Sequence, residues 1–293
     1  MKILITGGTG FIGKHFIKRS KTKHDLCALV RPSTNLDFLK KEKIKFYIFE
    51  DNIDKLTSFM EKEKFDGILH LASLFLLEHK TENIKNLISS NIYFGSIIIE
   101  TAIKSGVKWF INIGTFSQHY KNSVYCPLNL YAATKQAFQD IIKYYTETSK
   151  LNIVTIKLND TFGENDTRIK LLNIWNKISK SGEVFDMSPG KQIIDIIYIR
   201  NVVDGFLQMI KLLSKDKNNK FNGKSFIIKS GEEVSLKNLA KLFEKTTGRK
   251  LNIRWGTKKY RIRENMKPWN GGKNVPEWTP RVSLREGLEK TFK

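Results

Sequence analysis

Apolar residues fall along this chain in short, near-continuous runs, at residues 2–6, 25–30, 45–49, 67–72, 107–113, 153–158 and 193–198, each bounded by polar or glycine-containing stretches. Runs of this length that do not alternate with polar positions predict strands buried on both faces. Between them the apolar spacing lengthens to three and four, predicting helices over 11–20, 53–63, 84–104 and 131–148; in the third, Ile84, Leu87, Ile88, Ile92 and Ile99 follow a near-helical spacing. Strand and helix in alternation predict an α/β fold, a doubly wound parallel sheet with helices on both faces. Past residue 160 the rhythm loosens, and helices are expected at 168–180, 201–213, 235–246 and 283–292 between Gly, Asn and Pro stretches. The expected division is a nucleotide-binding domain at 1–160 and a smaller α/β substrate-binding part at 161–293, some of whose segments return to the sheet.

Composition changes this picture little. A chain of 293 residues with 40% hydrophobic and 27% charged residues buries a core without metal or disulfide, and no apolar run is long enough to span a bilayer. The opening Met1-Lys2-Ile3-Leu4-Ile5-Thr6 meets glycines after three apolar residues and reads as a strand, not a signal peptide. Two cysteines, Cys27 and Cys126, form no disulfide framework, which predicts a reducing, cytoplasmic setting. The net charge of +22, from 51 Lys and Arg against 29 Asp and Glu, is spread over the chain without a basic arm or an aromatic-basic motif. It predicts a solvated surface and attraction of an anionic substrate, with no nucleic-acid partner.

Chemistry first shows at the start. The opening strand runs into Gly7-Gly8-Thr9-Gly10-Phe11-Ile12-Gly13 and then a helix. Glycines at spacing three permit a tight turn, a close approach of backbone to a pyrophosphate and tight packing of helix on strand, while the helix N-terminus offers free N–H groups. Gly7, Gly10, Phe11, Ile12 and Gly13 are therefore expected at a dinucleotide. The second strand ends Ala28-Leu29-Val30-Arg31, with an arginine where a carboxylate would bind a ribose 2′-hydroxyl. That favours NADP(H), with NAD(H) the alternative.

Tyr131 and Lys135 stand four apart at the start of a helix and so share a face. An ammonium beside a phenol is expected to lower the phenol's pKa and let it exchange a proton with a forming alkoxide. The fifth strand ends in Gly114-Thr115, which supplies a hydroxyl near the pair.

The glycine spacing, Thr115 and the Tyr131-x-x-x-Lys135 motif resemble the extended short-chain dehydrogenase/reductase superfamily, which has a Rossmann nucleotide-binding domain. The resemblance runs from residue 2 to Val275-Pro276-Glu277-Trp278-Thr279-Pro280 and the helix after it. It implies that Thr115 and Tyr131 bond the reacting oxygen, that Asp51-Asn52 hold the adenine, and that Leu71, in the strand end His70-Leu71-Ala72-Ser73, lies beside the cofactor. It also puts Asn91 and Asn159 near a nucleotide-diphosphate sugar and implies a homodimer built on helices 84–104 and 131–148; Arg168 and Lys170, after the Asn165-Asp166 turn, and Arg261 and Arg263, near Trp269, are expected by position and charge where the second part holds a diphosphate and stacks a base. No metal is expected.

The stretches 114–120, 130–136 and 158–166 are similar to the nucleotide-sugar 4-ketoreductases that finish 3,6-dideoxyhexoses, the CDP-paratose and CDP-abequose synthases. By that resemblance NADPH reduces C4 of a CDP-4-keto-3,6-dideoxyhexose, a step in making surface polysaccharide precursors such as O-antigen. Where the superfamily's dehydratases carry Asp-Glu after the catalytic Thr, this chain has Phe116-Ser117, which argues against water elimination. An acidic pair usual in the family near residues 198–199 is replaced by Arg200-Asn201. A 4-epimerase with retained NAD, an epimerase-reductase using His119 and Cys126, and a non-catalytic nucleotide-sensing or scaffold protein on the same fold stay open as alternatives.

Overall fold

A computed structural model describes residues 1–293. Its first half reads β1 (Lys2–Thr6), α1 (Phe11–Ser20), β2 (Asp25–Val30), α2 (Asp37–Lys41), β3 (Lys45–Ile48), α3 (Ile53–Glu63), β4 (Gly67–His70), α4 (Ile84–Ile88), α5 (Phe94–Lys104), β5 (Trp109–Thr115), α6 (Leu130–Thr148) and β6 (Asn152–Leu158). The expected helix 84–104 forms, interrupted by one π-helical turn at Ser89–Tyr93. The second half adds β7 (Asp160–Phe162), α7 (Leu171–Ser181), β8 (Phe185–Met187), β9 (Ile193–Ile194), β10 (Ile196–Tyr198), α8 (Ile199–Lys215), β11 (Ser225–Ile228), β12 (Val234–Ser235), α9 (Leu236–Thr247), β13 (Ile253–Trp255) and α10 (Leu284–Phe292).

Seven parallel strands form the main sheet in the order β11-β6-β5-β4-β1-β2-β3. The order reverses at β1, so the carboxyl ends of β1 and β4 part there and open the crevice in which such sheets bind ligands. The apolar run 193–198 does not join this sheet. It breaks at Asp195, whose buried carboxylate accepts from Ser230 N–H (3.0 Å), Ser230 Oγ (2.9 Å) and Gly231 N–H (3.0 Å). The two pieces pair elsewhere, β9 with β12 and β10 with β7, and the seventh strand is β11.

Each face of the sheet carries a core. On one, Leu4, Cys27, Leu56, Met60, Phe110, Phe138 and Ile153 pack together; on the other, Ile3, Ile5, Phe16 and Val154 share one continuous cluster with Trp175, Phe206, Phe243 and Trp278. The second cluster crosses residue 160, and β11 comes back to the sheet, so the two parts hold one another in place. Asn201, at the position of the missing acidic pair, is buried and ties the tail down: its side chain accepts from the N–H groups of Arg281 and Val282 (3.0 Å each) and donates to Val282 O (2.7 Å).

Candidate functional site

The glycine loop is shaped by close backbone packing. Gly7 has φ +71°, and a Cβ there would lie 2.7 Å from Ala72 N; a Cβ on Gly13 would lie 2.3 Å from Gly7 O. Neither position admits a side chain, and that leaves bare backbone facing the crevice. Gly10 caps α1 without a side-chain bond, and the first intrahelical bond runs from Lys14 N–H to Gly10 O (2.9 Å). The N–H groups of Phe11, Ile12 and Gly13 thus stay outside the helix ladder, and no acidic residue sits in the first turn. The chemistry of this cradle fits a dinucleotide pyrophosphate.

Beside it Thr6 Oγ1 bonds His70 Nδ1 (2.9 Å) and accepts from Ala72 N–H (3.1 Å), which fixes the end of β4 and Leu71 against the loop. Burial, with the charge of Lys135 added, pushes the His70 imidazole down to about 3, so it is neutral. Arg31 follows β2 in the exposed position expected of it, and its guanidinium enters none of the chain's ion pairs. Asp51 is exposed with φ +60°, and the side chain of Asn52 caps α3 by accepting from Lys55 N–H (2.9 Å).

Helix α6 begins at an Asn129 cap that accepts from Ala132 N–H (2.9 Å), and this sets the orientation of the first turn, which carries Tyr131, with Lys135 one turn on. Lys135 is 2% exposed and has no carboxylate partner; burial alone lowers it to about 8. Holding an amine there costs about 3 kcal/mol at neutral pH, which marks a functional position more than a structural one. The phenol departs from expectation. Burial raises Tyr131 to about 12, against a smaller lowering by its hydrogen bond to Ser73, and Lys135 does not bring it down. The ring packs edge-on to Phe75 (5.0 Å between centroids).

Thr115 ends β5 as expected. Its Oγ1 accepts from Ser117 N–H (3.2 Å), so the hydroxyl hydrogen is free for another oxygen. Phe116, in place of the dehydratase acid, packs edge-on to Trp269 (5.4 Å) in the second part.

The four residues expected at the substrate are bonded within the chain. Asn91, buried in the π-helical turn, accepts from Ser73 Oγ (3.0 Å) and Leu74 N–H (2.7 Å) and donates to Leu74 O and Thr134 Oγ1 (3.0 Å each), so it braces the loop after β4 against α6. Asn159 donates to Asp195 O (2.6 Å). Arg168 forks onto Asp166 (2.7 Å twice), reaches Thr161 O (2.8 Å) and lies over the Phe11 ring (4.2 Å). Arg263 donates to Leu128 O (3.2 Å), Pro127 O (2.8 Å) and Cys126 Sγ (3.2 Å). These side chains hold loops around the crevice in place.

Two groups had no role in the sequence reading. Ser73, whose Oγ donates to Asn91 Oδ1 (3.0 Å), lowers the Tyr131 phenol against its burial. Lys157, an odd lysine in an otherwise apolar strand, donates to His119 Nε2 (2.7 Å), and His119 stacks on Trp269 (3.7 Å). Burial and Lys157 lower His119, and Lys157 itself is lowered by burial to about 8. His119 is paired with Cys126 in an isolated bridge, but both its ring nitrogens are taken, Nε2 by Lys157 and Nδ1 by Ser123 O (3.1 Å).

Residues 3–222 match the model of the NAD dependent epimerase/dehydratase family. Over 99% of its length the chain is similar, at 24% identity, to a CDP-abequose synthase of Salmonella typhimurium, covering 97% of that protein. It is 25% identical to a UDP-glucuronate 4-epimerase of Thermodesulfobacterium geofontis, covering 98% of this chain and 94% of the other. In fold it is similar to the UDP-glucuronic acid 4-epimerase of Bacillus cereus solved with UDP-glucuronic acid and NAD, at a TM-score of 0.84 and 19% identity over 100% of this chain and 98% of that one. The uncapped helix at a glycine cradle, the half-buried Tyr131 with the buried Lys135 and the match over residues 3–222 agree: the chain is an enzyme of the NAD-dependent epimerase/dehydratase family.

Proposed function

We propose that this enzyme is a nucleotide-sugar 4-ketoreductase that uses NADPH to convert a CDP-4-keto-3,6-dideoxyhexose to CDP-paratose or CDP-abequose. The observation that carries the reading is the placement of the Tyr131 phenol and the buried Lys135 amine four residues apart on one face of α6. The cofactor, when bound, supplies the hydride to C4. Tyr131 passes its proton to the C4 oxygen, the free hydroxyl hydrogen of Thr115 bonds the same oxygen, and the Lys135 ammonium adds positive charge on the same face of α6. Phe116 and Ser117 offer no acid or base for removing water, and the similarity to CDP-abequose synthase supports the substrate class. Arg31 supports NADPH over NADH. The same reading assigns a homodimer through the helical faces that expose Ile84, Ile88, Tyr93 and Tyr144; a monomer in equilibrium sedimentation would remove it.

The test is NADPH oxidation by the purified enzyme with CDP-4-keto-3,6-dideoxyglucose, beside NADH and Tyr131→Phe. Oxidation that prefers NADPH and drops by at least about a hundredfold in the variant supports the reading. Because Lys135 must be charged, kcat/KM is expected to be flat at neutral pH and to fall as pH rises through about 8. A second reading, a 4-epimerase with retained NAD, is favoured by the fold similarity to epimerases solved with NAD. NAD found on the purified protein, with no net oxidation of NADPH, would establish it instead.

A further inference from the structure

Thr115 and Tyr131 must reach one oxygen, yet they belong to different elements, the end of β5 and the start of α6. Gln118 joins the two. Its side chain is fully buried; Oε1 accepts from Thr115 N–H (2.9 Å), and Nε2 donates to Gln136 Oε1 (2.7 Å) and Gln139 Oε1 (3.2 Å) on α6. Gln136 is the neighbour of Lys135 and is itself held by donating to Asp140 Oδ1 (2.9 Å). On its other side Gln118 closes the turn Phe116–Gln118, in which Ser117 N–H occupies a lone pair of Thr115 Oγ1. One side chain therefore sets both the turn that frees the Thr115 hydroxyl hydrogen and the spacing from that hydroxyl to the catalytic helix.

We infer that Gln118 is a positioning residue for catalysis, holding the Thr115 hydroxyl in register with Tyr131 and Lys135. The inference rests on the reading of those three as the reacting groups. A buried amide whose three bonds all go to the two elements that must converge fixes their relative position, because losing one partner leaves the others unsatisfied in a dry interior. Misplacing a reacting group by about 1 Å can cost about a hundredfold in rate.

Gln118→Met keeps volume and removes all three bonds. Gln118→Glu keeps the acceptor for Thr115 N–H, and the Gln136 amide can turn to donate to it. In Gln118→Met, kcat with the 4-keto sugar is expected to fall by about tenfold to a hundredfold while KM for sugar and NADPH stays within about threefold, with Gln118→Glu regaining most of the loss. Amide hydrogen exchange, which needs no substrate, is read on the same proteins: Thr115 and Ser117 lose protection in Gln118→Met. Should Gln118→Met fail to fold, Gln136→Leu removes the shorter bond to α6 alone and is expected to lower kcat severalfold with KM unchanged. Unchanged kcat in a folded Gln118→Met, a rise in KM that accounts for the loss, or protection equal to wild type overturns the inference. Wild-type enzyme that leaves NADPH untouched removes the ketoreductase reading, and the exchange measurement still decides the link between the turn and α6.

Discussion

The cationic groups of the two halves of the chain are in opposite states. In the first half Arg31 is exposed and outside every ion pair, and Lys135 is buried with no carboxylate beside it. In the second half Arg168 and Arg263 have their forks filled by Asp166 and by the carbonyls of the 126–128 loop. The first half thus has donors and backbone already bare for a ligand. The second has satisfied itself, so an anion there must take donors from elsewhere or break bonds that already exist.

The largest effect expected from this contrast comes from the bare backbone. Gly7→Ala puts a methyl within 2.7 Å of Ala72 N at a left-handed φ, and cofactor affinity is expected to drop by more than about a hundredfold while circular dichroism stays native. Tight cofactor binding by that variant, followed by fluorescence, would break the idea of a preformed cradle. Next comes Arg31→Ala. An exposed guanidinium on a 2′-phosphate is worth a charge-assisted bond, so the Kd for NADPH should rise about tenfold while that for NADH moves little. Equal effects on both would take Arg31 out of cofactor selection. Smallest are Arg168→Lys and Arg263→Lys. If these guanidiniums serve loops, KM for the sugar nucleotide should change by less than about threefold, with a modest fall in Tm; a tenfold rise in KM for either would show that the internal bonds give way to substrate.

The same contrast runs through what could be read from the chain. The parallel sheet, the helices over it, the glycine loop and the places of Tyr131 and Lys135 on one helix and of Thr115 at a strand end were legible because each rests on short spacing: a turn, one helix face, a strand end. Lys157 carried a visible signal, a charge inside an apolar run, whose partner His119 lies 38 residues away. The seventh strand was misplaced because 193–198 is apolar enough for a sheet, and only the buried Asp195, bonded to residues 230–231, breaks it in two. Asn91 and Asn159 were placed near the substrate by family pattern and Arg168 and Arg263 by charge and position, and spacing along the chain says nothing about which carbonyl a side chain meets after folding.

By itself the amino-acid order determined the local geometry: which segments are strands, where α1 presents its free N–H groups, and that a phenol and an amine stand on one helix face. These depend on φ/ψ preferences and on periods of two to four residues. Only the tertiary structure decided the protonation of that pair and the bonding of the arginines. Burial raises Tyr131, and Gln118 ties Thr115 to α6. Desolvation and long-range hydrogen bonds depend on everything packed around a group, so they exist only once distant parts of the chain have met.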